Sequence, residues 1–344
     1  MRVLIIKLSS MGDIIHTLPA LTDALRATPA LRCDWVVEEQ FQDIPGWMPV
    51  VENVIPIALR RWRKSGWWRA RADIRAFLTR LRAERYDLVI DMQGLFKSGM
   101  VAYLARGLRV GLDYASAREK GAAFFYQRRC KVIFEQHAIP RARQLMAQAL
   151  NYPLPDTAPL AQIILSSTAS SDIPCTASTI LLCHATTWRT KHWPTQYWHE
   201  LTQKLNAKGH HILLPWSSDA EYQAALSIAA GNQATVLPKM SLTAIATLMH
   251  SVRACIAVDT GLGHLAAILG VPTVSIYGST DPQLTGTLGA FQTHVSTQVT
   301  CAPCLKSACA LDPRAQQPFA HCLTSVPVDR VEQAIETLLR EAGR

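Results

Sequence analysis

The chain has no stretch approaching the roughly 18 unbroken apolar residues that a membrane-spanning helix needs. No G-x-G-x-x-G fingerprint follows its first strand-like segment and no Walker A loop occurs, so dinucleotide oxidoreductases and phosphate-loop ATPases are set aside. Charged residues make up only 18% of the sequence and apolar ones 49%, which excludes a disordered chain. The nine cysteines are an odd number, an argument against a full disulfide framework. Cys33, Cys130, Cys175, Cys183 and Cys255 are scattered singly and read as small buried hydrophobes. The opening Met-Arg-Val-Leu-Ile-Ile-Lys reads as a buried strand, its apolar run shorter than a secretory signal's. The expected compartment is the cytoplasm.

With 344 residues there is room for two domains, each with its own core. The net charge of +9 is unevenly spread. Residues 1–150 hold 24 Lys and Arg against 14 Asp and Glu, whereas residues 151–344 hold 11 against 12. The first half should therefore face something anionic: a phosphorylated substrate, an anionic membrane surface or nucleic acid.

Strand and helix patterns alternate twice along the chain. Residues 3–7, 34–38, 54–57 and 86–91 read as strands, and 13–26, 74–85 and 95–106 as helices. Residues 152–178 contain no Lys or Arg and read as a Pro-, Ser- and Thr-rich linker, with a short strand at 163–165. Strands then recur at 179–183, 212–215, 254–258 and 273–277, with helices at 195–208, 219–230 and 264–269 and a closing amphipathic helix at 328–342. The pattern predicts an α/β protein with two doubly wound parallel sheets: a domain over 1–151, the linker, a domain over 179–327 and the closing helix over 328–344. Ligands in such folds sit at the carboxyl ends of strands, so the expected site is the cleft between domains.

Five stretches carry chemistry. Ser9-Ser10-Met11-Gly12-Asp13 follows the first strand, with Gly12 allowing a tight turn and Asp13 at a helix N-terminus, either as a cap or as a general base. The run from His184 to Pro194 places Thr186, Thr187 and Lys191 ahead of a helix, a cradle for a pyrophosphate. Val258-Asp259-Thr260-Gly261-Leu262-Gly263-His264 reads as a Gly-bracketed turn presenting Asp259 to sugar hydroxyls and His264 to phosphate. The basic run from Arg60 to Arg71, with Trp62, Trp67 and Trp68, suits a peripheral membrane contact or nucleic acid. Cys301, Cys304, Cys309 and Cys322 lie in a loop with Pro303 and Pro313. They fit a structural zinc, with His321 as a competing ligand, an iron–sulfur cluster, labile disulfides or plain thiols. No Asp-x-Asp pair occurs, so a leaving diphosphate would be neutralised by Lys191, His264 and helix N–H groups and not by a divalent ion.

Together these blocks resemble the bacterial lipopolysaccharide heptosyltransferases, and among them the heptosyltransferase I group. The resemblance rests on K-L-S-S-M-G-D-I-I-H-T-L-P-A-L, D-W-V-V-E-E, R-R-W-R-K, D-M-Q-G-L-F-K-S, H-A-T-T with K-H-W-P, L-P-K-M-S-L and V-D-T-G-L-G-H-L, in that order. It implies a two-domain GT-B fold and an inverting transfer of heptose from ADP-heptose to the Kdo of Kdo-lipid A. By the same resemblance Asp13 is the catalytic base. Thr186, Thr187 and Lys191 hold the diphosphate, Glu221 contacts the ribose and Met240 marks the adenine site. Asp259, Thr260, Gly261 and His264 hold heptose and phosphate. Ser10, Arg60, Arg61, Arg63, Lys64 and Arg118 face the acceptor. No catalytic cofactor is implied, and the protein is expected at the inner face of the cytoplasmic membrane, with no nucleic acid partner. The four-cysteine segment departs from the heptosyltransferase I pattern. Alternatives are a second- or later-heptose transferase, an enzyme using another nucleotide sugar, a nucleic-acid-binding module and a non-catalytic nucleotide-sugar sensor.

Overall fold

Val3–Ile6 are wholly buried, so the first strand has no wet face and must lie inside a sheet covered on both sides. The computed structural model describes residues 1–165, 173, 175–312 and 318–343. It divides into two compact units, Met1–Ile164 and Leu165–Arg344.

In the first unit, strands β1 (Arg2–Ile6), β2 (Arg32–Glu38), β3 (Val51–Ile57), β4 (Leu88–Asp91), β5 (Leu108–Leu112) and β6 (Arg128–Cys130) form one sheet. Its order is β3-β2-β1-β4-β5-β6, every pairing parallel. The helices are α1 (Met11–Ile15), α2 (Leu18–Ala27), α3 (Asp43–Gly46), α4 (Leu59–Ser65), α5 (Arg71–Leu81), α6 (Phe96–Leu104) and α7 (Ala138–Leu150). One core cluster joins α4, α5, α6 and a 3-10 turn at Lys120–Phe125 to the sheet, through Trp62, Phe77, Leu81, Val101 and Ala122 against Leu4, Ile6, Val36 and Val89.

The second unit repeats the plan. Strands β7 (Thr179–Cys183), β8 (His211–Leu214), β9 (Ala234–Val236), β10 (Ala254–Val258), β11 (Thr273–Tyr277) and β12 (Gln292–Ser296) pair in parallel in the order β12-β11-β10-β7-β8-β9. Its helices are α8 (Thr195–Ala207), α9 (Asp219–Ala229), α10 (Leu242–Met249), α11 (Gly261–Ile268), α12 (Pro282–Thr285), α13 (His321–Thr324) and α14 (Val328–Glu341). The last of these packs Val331, Ile335, Leu338 and Leu339 into this unit's own core.

Several expectations need correction. The single helix over 13–26 is two, α1 and α2, broken at His16 and Thr17, with Pro19 in the first turn of α2 where its missing N–H costs nothing. The basic run forms a helix, α4. Residues 163–165 form no strand: Ile164 is exposed, and its N–H donates to Trp47 O at 2.8 Å. Part of the predicted linker, residues 166–172 and 174, lies outside the described residues.

A buried ion pair holds α7 to α2. Arg143 Nε donates to Asp23 at 2.5 Å, and its other nitrogens donate to Thr157 O and Pro155 O. Removing the carboxylate strands a buried guanidinium. Asp23→Ala should therefore lower unfolding free energy by about 3–5 kcal/mol in a urea titration. A loss below about 1 kcal/mol, the level of an exposed pair, would contradict this.

Candidate active site

Each sheet reverses its strand order beside its first strand, between β1 and β4 and between β7 and β10. The loops leaving the two strands diverge there and open a crevice at the carboxyl ends. In both units the polar residues cluster at that point.

In the first unit, Lys7 leaves β1 and donates to Met92 O, beyond β4, at 3.1 Å. The next N–H, of Leu8, donates to Gln93 Oε1 at 2.7 Å. The chain then enters α1, where Asp13 is the third residue. Its Oδ2 accepts from Ser10 N at 2.9 Å and Ser10 Oγ at 2.7 Å. The carboxylate thus reaches back to cap its own helix, and Ser10 is its partner. Gly12 lies within α1 without a positive φ, so it is not the tight-turn residue expected. Burial alone would raise the pKa of Asp13, but Lys7, the two Ser10 hydrogen bonds and His16 outweigh it and hold it at about 2. Burial in turn lowers that of Lys7, which Asp13 and Asp91 support and Arg141 and Arg118 oppose. Asp13 also acts on Arg141, whose guanidinium stacks on Phe134 at 4.2 Å. The ionised Asp13 carboxylate therefore shares its surroundings with Lys7 and Arg141, with Arg118 in range of both cations and the buried Asp91 in range of Lys7.

Arg118, assigned to the acceptor by the resemblance, lies in electrostatic range of Lys7 and is exposed. Lys7 and Arg141 were missed. A charged residue ending an apolar strand was the signal for Lys7. Nothing marked Arg141, because α7 itself was not predicted. On α4, Arg60, Arg63 and Lys64 are exposed and are not among the main charges acting on Asp13 or Lys7. Arg61 is engaged within the protein, by Glu39 at 3.1 Å and Asp73 at 2.6 Å. Trp62 is buried against Phe77, leaving only Trp67 and Trp68 of the Trp-rich run exposed.

In the second unit the crevice is closed at its floor by Asp259. Thr186 Oγ1 donates to Asp259 O at 2.9 Å, tying the loop after β7 to the loop after β10. The Asp259 carboxylate accepts from Thr280 Oγ1 at 2.6 Å, pairs with Lys191 Nζ at 2.7 Å and faces His264 Nε2 at 3.5 Å. Burial opposes its charge, but His264 and Lys191 prevail and keep it well below the usual carboxylate range. Lys191 also lies over the Trp188 ring at 4.5 Å, and Thr187 is exposed beside it. Gly261 and Gly263 do not bracket a turn as expected. Both belong to the first turn of α11, capped at Thr260. Gly263 is needed for packing, since a Cβ there would come within 2.8 Å of the Ala257 Cβ. The first N–H groups of α11 lack intrahelical partners and favour an anion. A carboxylate, an ammonium, an imidazole and a helix N-terminus thus converge where a diphosphate can be bound.

Glu221, third residue of α9, accepts from Ser217 N at 2.7 Å and Ser217 Oγ at 2.8 Å, while its carbonyl meets His184 Nε2 at 3.2 Å. Met240 is half-buried just before α10. Trp216, which sequence reasoning passed over, bonds Leu237 O at 2.6 Å and packs on Tyr222, next to Glu221.

The four-cysteine segment packs against the turn that carries Lys191, with Thr190 Oγ1 donating to Lys306 O at 2.7 Å and Leu305 N to Ser279 O at 2.7 Å. Cys322 is buried, and burial first, then the charges of Cys304, Cys301 and Cys309, push its thiol up to about 11. All four are free thiols, Cys301 exposed and Cys304 and Cys309 half-buried. Among the described residues, no group of three or more His, Cys, Asp or Glu side chains is placed to hold a metal ion. Pro313 of this loop lies outside the described residues. Among the described residues no helix is long and apolar enough to cross a membrane.

The chain is 47% identical to the lipopolysaccharide heptosyltransferase 1 of Pseudomonas aeruginosa, covering 98% of each sequence. Its fold matches that of E. coli heptosyltransferase WaaC with ADP at a TM-score of 0.84 and 40% identity, covering 98% of this chain and all of that one. The same enzyme with ADP-2-deoxy-2-fluoro heptose matches at a TM-score of 0.82 and 39% identity, covering 98% of this chain and 99% of that one. The profile of glycosyltransferase family 9 (heptosyltransferase) matches residues 74–315. These matches, with two doubly wound parallel sheets, place the chain in the GT-B type: it belongs to glycosyltransferase family 9, the heptosyltransferases.

Proposed function

We propose that this glycosyltransferase moves heptose from ADP-heptose to the Kdo of Kdo-lipid A, with inversion, at the inner face of the cytoplasmic membrane. The ADP and ADP-2-deoxy-2-fluoro heptose held by the E. coli relative support the donor. On this reading Thr186, Thr187, Lys191, His264 and the α11 N–H groups hold the diphosphate, and no metal is needed to neutralise it. Thr260 and Gly261 line the same turn. Glu221 takes the ribose and Met240 flanks the adenine. Asp13 accepts the proton of the attacking Kdo hydroxyl as that oxygen bonds to the anomeric carbon and ADP departs from the opposite face.

The single observation that carries the reading is the Asp13 carboxylate, held by Ser10 at 2.7 and 2.9 Å and kept ionised by Lys7, with Arg141 and Arg118 in range of Lys7. Such a site attracts an acceptor whose Kdo carboxylates and lipid A phosphates are anionic. An arriving carboxylate partly neutralises the cations that depress Asp13. Its pKa then rises toward the range in which a base accepts a proton usefully. Ser10 orients Asp13, and Arg60, Arg63 and Lys64 of α4 supply further positive charge for the lipid A phosphates. Arg61, already paired twice, holds α4 in place. A nucleic-acid reading is weakened because Trp62, within the basic run, is a core residue and offers no face for base stacking.

Asp13→Ala should lower kcat by roughly 10²- to 10⁴-fold while ADP binding, read by calorimetry, stays unchanged. An equal loss of donor affinity would remove Asp13 from the role of base. The pH profile gives a second test. A base held at about 2 in the free enzyme stays ionised at ordinary pH, so the wild-type kcat/KM, which reports the free enzyme, should show no acid limb from Asp13. Lys7→Met removes the main charge that depresses it and leaves burial to raise it. The rate of that variant should fall as pH drops through the ordinary carboxylate range or above, and an unchanged profile would refute the coupling.

A further inference from the structure

Helix α6 is turned inside out. Its buried face carries Ser98, Gly99, Val101 and Ala102, whereas Phe96, Met100 and Tyr103, spaced i, i+4 and i+7, form an exposed stripe. These three side chains are 51%, 44% and 60% exposed, and Phe124, on the 3-10 turn and edge-on to Tyr114 at 5.2 Å, is 73% exposed. The inversion is built in. A Cβ at Gly99 would come within 2.5 Å of Phe125, so the glycine admits that ring beneath the helix. Phe125 then supports Phe96 edge-on at 5.0 Å and Tyr103 at 6.2 Å. Lys97 and Lys120 stand exposed on the same two elements, and the Arg109 guanidinium covers the Tyr103 ring at 5.3 Å.

We propose that α6 and the Lys120–Phe125 turn form a membrane-docking face that seats on a bilayer of anionic phospholipids. The proposal deepens the functional reading given above, on which a lipid acceptor must be met at a membrane. Phe96, Met100 and Phe124 enter the boundary between headgroups and acyl chains, Tyr103 lies at headgroup level, and Lys97 and Lys120 bind lipid phosphates. Charge complementarity selects this occupant. A second copy seated on this face would have to bury Lys97 and Lys120. Exposure is also one-sided: of the eight exposed Phe, Tyr and Trp side chains among the described residues, seven lie in the first unit, which carries the excess positive charge. Trp67 and Trp68, which follow α4, belong to the same helical layer, because α4, α5 and α6 share one core cluster.

The test is co-sedimentation of the full chain with vesicles of phosphatidylcholine, with and without phosphatidylglycerol. The wild type should bind the anionic vesicles, and less so at high salt. Met100→Ser with Phe124→Ser, and separately Lys97→Glu with Lys120→Glu, should each weaken binding roughly tenfold or more. Both variants should keep wild-type melting, ADP binding and turnover on an acceptor dispersed in detergent. Absence of wild-type binding, or variants that bind as tightly, would overturn the proposal. So would a wild-type dimer that either variant turns into a monomer. Vesicle binding without heptose transfer would overturn the functional reading and leave this surface standing.

Discussion

Everything at the site hangs on one topological constraint, the reversal of strand order beside β1 and beside β7. Parallel strands buried on both faces are mostly apolar along their length, so the chemistry is displaced to their carboxyl ends. There the loops from neighbouring strands diverge and their polar groups can meet without a covering helix. Lys7 reaching Met92 O and Thr186 reaching Asp259 O are the same event in the two units: a side chain after one strand closing onto the backbone after its switch-point neighbour.

The two crevices use charge in opposite ways. Asp259 is nearly buried and would be costly if unpaired, and Lys191, His264 and Thr280 meet its charge. Its role in the described structure is to hold Lys191 at the mouth of α11, with Trp188 on the other side of the ammonium. A diphosphate would share that ammonium with Asp259, so the carboxylate predicted to contact sugar first sets the position of the phosphate binder. Asp13 is the reverse case, a carboxylate that Lys7 and two Ser10 hydrogen bonds hold ionised in a basic surrounding. That surrounding leaves positive potential for an anionic acceptor.

Much of this was legible in the sequence. The predicted bounds of β7, β10 and β11 coincide with the structure because each is five wholly buried residues between polar loops. β9 and β12 were missed: they are half-buried edge strands with neither a continuous apolar run nor clean alternation. The motifs marked Asp13, Lys191, Asp259 and His264, but their partners were invisible. The approach of Arg141 to Asp13, or of Thr280 to Asp259, depends on long-range packing that no local pattern encodes. Arg61 shows the converse. It read as an acceptor ligand within a basic run, while Glu39 and Asp73, remote in sequence, engage it. The outward aromatics of α6 were likewise hidden, since a helix with apolar residues on all sides reads as an ordinary core helix.

The most direct measurement is a mass-spectrometric transfer assay with ADP-heptose and Kdo-lipid A, using UDP- and GDP-sugars and lipid A already carrying one heptose as controls. The account predicts a mass gain of one heptose on Kdo-lipid A, from ADP-heptose alone. A folded, ADP-binding protein that leaves Kdo-lipid A unchanged while extending the heptose-bearing acceptor would contradict it.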